Sequence, residues 1–110
     1  MFKVTHRPVF TRTIKVQVPI DDDRFREETF KAKFEGLPMD DLDSFEVDTT
    51  DGMKALLIRV VQDLEDVCGD DDKEIPFSDQ LLADVLSNAA ARGALYSTYL
   101  ASISGLRTGN

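Results

Sequence analysis

Apolar and polar residues alternate along "VFTRTIKVQVPI", where Phe10, Ile14, Val16 and Val18 share one parity and Thr11, Thr13, Lys15 and Gln17 the other. A period of two marks a strand with one buried face. The same period returns in "ETFKAKFEG", with Phe30, Ala32 and Phe34 set against Thr29, Lys31 and Lys33. Between the runs lies the polar "IDDDRF", longer than a two-residue tight turn, so the pattern predicts an antiparallel pair over residues 10–18 and 29–34. A lone hairpin is marginal in water, and its apolar face needs a cover from elsewhere in the chain.

The period then changes. Gly36 and Pro38 end the second strand, and Met39, Leu42 and Phe45 allow a short helix over about 38–47. In "TTDGMKALLIRVVQDLEDV", Met53, Leu56, Leu57, Val60, Val61, Leu64 and Val67 follow the spacing of an amphipathic helix, with Thr50 placed as its N-cap. This predicts a long helix that reaches Val67 and lies over the hairpin. Ser78 precedes "DQLLADVL", where its hydroxyl caps a further helix, Asp79 suits the positive end of the dipole, and Phe77 is placed as a staple toward Leu82. Residues 93–106, "GALYSTYLASISGL", carry no charge. Helical projection puts Leu95, Tyr96, Tyr99, Leu100 and Ile103 on one face and Ala94, Ser97, Thr98, Ala101 and Ser102 on the other. A helix facing water normally bears charges, whereas small residues admit another backbone closely. The tail 107–110 is polar and expected to fray. The sum is an α+β fold: an N-terminal antiparallel hairpin or small sheet packed against three to four helices. One domain over 1–110 is expected, mainly β to residue 36 and mainly α over 37–106.

Composition narrows the function classes. Apolar residues make up 42% and charged residues 31%, the balance of a folded globular chain rather than a disordered one. No apolar run approaches a membrane span, and "MFKVTHRPVF" lacks the apolar centre of a signal peptide, so no membrane partner and a cytoplasmic location are expected. The net charge of -8 is concentrated: residues 36–84 hold fifteen acidic and three basic side chains. Such a field repels phosphate backbones and argues against nucleic acid as a partner.

The chain is also poor in chemistry. Its one cysteine, Cys68, cannot close an intramolecular disulfide or contribute to a Cys-x-x-Cys pair, and its one histidine, His6, stands in no triad or metal-ligand spacing. The acidic run in "CGDDDKEIPFSDQLL" invites a calcium-loop reading. Counting from Asp70, however, the sixth residue is Ile75 and the twelfth Leu81, where that loop needs glycine and glutamate. Asp70, Asp71 and Asp72 therefore read as a solvated loop ahead of a helix start. No metal site, no cofactor and no catalytic constellation is expected; the protein is expected to work by contact, not as an enzyme. The candidate contact residues are Ala94, Thr98 and Ala101 on the small-residue face, Tyr96 and Tyr99 at its margins as aromatic anchors, and Ile58, which projects from the long helix between Lys54 and Glu65.

The order of these pieces resembles the small tail assembly chaperones of long-tailed bacteriophages and prophages. The resemblance rests on "FKAKF" at 30–34, the acidic middle with its long helix, "LEDVCGDDDKEIPFS" at 64–78, and the small-residue helix closing in "LRTGN" at 106–110. Leu64 and Asp66 stand where the family carries tryptophan and glycine. The resemblance implies a protein that binds the tape measure protein, keeps that long helical chain soluble and helps recruit subunits of the major tail tube protein. It also implies action in the cytoplasm of the bacterial host and absence from the mature virion. A homo-oligomer is compatible with it. Two alternatives stay open: a structural or neck-type virion component, and a small acidic adaptor unrelated to phage.

Overall fold

The computed structural model describes residues 1–5 and 7–105; His6 and residues 106–110, with the tail expected to fray, lie outside them. The architecture is α+β, a three-stranded antiparallel sheet that begins with an N-terminal hairpin and takes its third strand from mid-chain, packed with helices. Strands β1 (Val9–Ile20) and β2 (Arg24–Glu35) pair along their whole length, in the register that sets Phe10 opposite Phe34 and Ile14 opposite Phe30. The turn is Asp21, Asp22 and Asp23, and the last two adopt φ of 65° and 58°, a left-handed conformation that aspartate tolerates better than bulkier residues. Alternation sorts the two faces as expected: Ile14, Val16, Phe30, Ala32 and Phe34 are buried, while Thr11, Thr13, Lys31 and Lys33 face water. Beyond Val18 the hairpin is exposed on both faces.

The helix expected to reach Val67 stops seven residues earlier. Helix α2 (Thr50–Val60) passes directly into a third strand, β3 (Val61–Glu65), which pairs with β2 in the order β1-β2-β3. The inward spacing of Val61 and Leu64, three residues apart, looked helical. In a flat strand it would place them on opposite faces, but a bulge between Lys33 and Phe34 absorbs one residue, so Val61 opposes Phe34 and Leu64 opposes Ala32 on the buried face. Lys33 then faces Asp63 and Lys31 faces Glu65, opposite charges across the outer face. Completing the edge of β2 outweighed the helical periodicity. The cap also moves by one position: Thr49, not Thr50, accepts the Gly52 N–H at 3.0 Å, and its own hydroxyl donates to the Glu46 carbonyl at 2.8 Å.

The remaining helices are α1 (Met39–Asp43), a single short turn inside the expected 38–47 window, α3 (Asp79–Leu86) and α4 (Ala89–Ile103). Ser78 caps α3 through the Leu81 N–H at 3.0 Å, as its position implied, and Asn88 caps α4 through Ala91 at 3.0 Å. The acidic stretch forms the tip of a loop closed by a bridge between Cys68 and Glu74, with Asp72 at φ 60°. Helix α4 lies over β1 and touches α2 and α3, so one connected core joins the sheet to the helices. Among the described residues, no helix is long and apolar enough to cross a membrane.

Candidate functional site

Tyr99 anchors α4 from within. It is 0% exposed, stacks among Phe34 and Phe10 with ring centroids 5.3 and 6.3 Å away, and uses its hydroxyl twice: it donates to the Glu35 carbonyl and accepts from the Leu37 N–H, both at 3.0 Å. Burial pushes the Tyr99 hydroxyl above its ordinary pKa; the Leu37 hydrogen bond opposes that shift and the Glu35 charge adds to it. Thr98 is also buried, at 8% exposure. Both residues were expected at the partner surface, and both instead belong to the packing of α4 on the sheet. The reason is steric as well as polar. The buried face of α4 runs through Ala91, Leu95, Thr98 and Tyr99, and small side chains at two of these let the helix approach β1. Farther along, the Ser102 hydroxyl donates to the Thr98 carbonyl at 2.7 Å and accepts from Arg12 Nε at 3.1 Å.

The face seen from sequence is thereby rotated by about one residue. Leu100, expected inward, is 36% exposed, and Thr98, expected outward, points in. What α4 leaves outside is a strip of Ala90, Ser97 and Leu100, all exposed, flanked by the half-buried Gly93, Ala94 and Ala101. No charged side chain lies in this strip. Tyr96 is half-buried at the edge of the core. Ile58 is 59% exposed on α2, as its projection implied, but it does not join the depression where α2 meets α4, which is lined by Thr50, Met53, Ala89 and Gly93 among others. Of the six candidate contacts, Ala94 and Ala101 flank the strip, Tyr96 borders the core, Ile58 is separate, and Thr98 and Tyr99 are internal.

A cluster that sequence reasoning missed sits where β2 ends. Glu35 Oε2 accepts from Arg7 Nη1 and from Arg59 Nη2, each at 3.1 Å, while Oε1 accepts from Gln62 Nε2 at 3.0 Å; Arg7 also reaches Asp41 at 3.1 Å. The Arg59 hydrogen bond, then that of Arg7, holds the Glu35 carboxyl below the ordinary carboxylate range. These partners come from four segments other than β2, so spacing along the chain gives no signal of them. The arrangement is a clamp joining the N-terminal segment, α1, α2 and β3 to the end of β2. A carboxylate kept ionised by two guanidinium groups is a poor proton donor. Among the described residues, no group of three or more His, Cys, Asp or Glu is placed to hold a metal ion. No family model matches the chain, and no curated protein or solved structure matches it either.

Proposed function

We propose that this protein is a non-catalytic tail assembly chaperone that binds the tape measure protein, keeps it soluble and helps recruit tail tube subunits, with the outward strip of α4 as its main contact surface. The observation that carries the reading is the strip itself: a solvent-facing helix surface without charge on a chain whose net charge is -8. An exposed helix gains nothing in solubility from such a face, whereas a helical partner can approach it closely. The acidic remainder keeps a complex with an aggregation-prone chain hydrated. The sequence resemblance supplies the identity of that partner.

The test is the double variant Ser97→Glu, Leu100→Glu. Both side chains are exposed, so the variant should keep its circular dichroism and melting temperature while the soluble fraction of co-expressed tape measure protein falls to that of cells without chaperone. A variant that folds and still keeps the tape measure protein soluble would refute the α4 assignment. A coding position just upstream of a very long, helix-rich reading frame supports the chaperone role, and recovery of the protein in purified virions supports a structural component instead.

A further inference from the structure

A second surface differs in chemistry from the α4 strip. A groove of about 380 Å³ runs between the hairpin, the loop over residues 66–75 and α3. Val16, Val18, Phe30, Ile75, Leu81 and Val85 give it an apolar floor, and Val18, Ile75 and Val85 remain partly or largely uncovered. Glu28, Asp66 and Asp84 stand in its lining, and among the described residues no lysine or arginine does. Glu28 is shared with Arg26 through Nε at 2.9 Å, and Asp84 accepts from Gln80 at 2.8 Å, while none of the described ion pairs involves Asp66 or Asp84. None of the outward α4 residues lines the groove.

We propose that this groove docks a basic amphipathic segment of another protein, with apolar side chains on its floor and lysine or arginine beside Glu28, Asp66 and Asp84. The apolar floor and the carboxylates together supply the attraction, and the carboxylates select the sign of the segment. An acidic segment would bring like charges together, and so would a second copy of a chain carrying -8. Phosphate-bearing ligands are rejected on the same ground.

Cys68 offers a direct readout, because it is the sole cysteine, is exposed and lines the groove. The rate of its alkylation by iodoacetamide is measured with a leucine–lysine amphipathic peptide and with its leucine–glutamate counterpart. At about ten times its dissociation constant the basic peptide should slow alkylation about tenfold, following simple occupancy. The acidic peptide should have no effect. The triple variant Glu28→Gln, Asp66→Asn, Asp84→Asn, altered only at exposed positions, should lose the protection. A control that removes equal charge elsewhere, Asp43→Asn, Glu46→Gln, Asp48→Asn, should keep it. Without any substitution, about 1 M salt should weaken the protection, since the screening length falls to about 3 Å. Protection that survives the groove variant or high salt, or peptide binding that leaves Cys68 equally reactive, overturns the proposal. Alkylation that slows with protein concentration alone would assign the groove to a second copy and overturn it too. Because the α4 strip is untouched here, this result and the co-expression result stand or fall separately.

Discussion

One oxygen on Tyr99 ties the C-terminal helix to the end of the sheet. Tyr99→Phe keeps the ring packing but leaves the buried Leu37 N–H without its acceptor, which costs about 1–3 kcal/mol. Thermal denaturation should show a clearly lower midpoint; an unchanged midpoint would mean the hydroxyl contributes no net stability. Glu35 makes a different test possible. Its folded pKa is depressed, so the stability it adds is fully present above the unfolded carboxyl value, near 4.5, and is lost as pH falls through the folded value. The stability gap between wild type and Glu35→Gln should therefore be level at neutral pH and shrink on acidification, read from urea denaturation at a series of pH values. A gap independent of pH down to the acid-unfolding region would contradict the ion-pair account. Neither residue's role was legible in the sequence, since Tyr99 has its polar partners more than sixty residues away and Glu35 draws its partners from three other segments. What could be read was that Tyr99 lies on the apolar side of a helix. Whether that side faces inward or toward a partner depends on the sheet beneath it.

At the scale of elements, local signals were read well and edge completion was not. The hairpin, the Ser78 cap and the loop character of the aspartate run each depend on a few neighbouring residues. Strand β3 depends on the unsatisfied edge of β2, and the bulge beside Phe34 disguised its alternation as a helical repeat. Gly52 gives this scale its prediction. In an ordinary helix interior Gly→Ala would stabilise by about 1 kcal/mol. Here a Cβ would lie 1.9 Å from the Glu46 carbonyl oxygen, inside the turn that Thr49 closes. Gly52→Ala should instead destabilise by about 1–3 kcal/mol, as forced overpacking does. Chemical denaturation measures it, and a stabilised variant would show that the 46–49 turn moves freely. The rotation of α4 also belongs here. Projection found its two faces, but placing the boundary between them required knowing that Thr98 is buried and that Ser102 accepts from Arg12 on β1.

For the whole molecule, charge and apolar surface are arranged in a way that contact would exploit. Strong acidity occupies the middle of the chain, the core is a single connected cluster, and the apolar surfaces left over are of two kinds. One is the charge-free strip of α4, expected to receive a helical chain, and the other is the groove beside the hairpin with its carboxylates. The strip was half visible from sequence: its lack of charge was plain, while the loss of Thr98 and Tyr99 to the core and the gain of Leu100 were set by packing. Hydrogen exchange on the complex with the tape measure protein addresses the central claim most directly. Co-purified complex and free protein are compared peptide by peptide. The account expects slowed exchange on binding to be concentrated in α4, from Ala89 to Ile103, with the double variant Ser97→Glu, Leu100→Glu failing to form the complex. A stable complex in which α4 exchanges as it does in the free protein would contradict it.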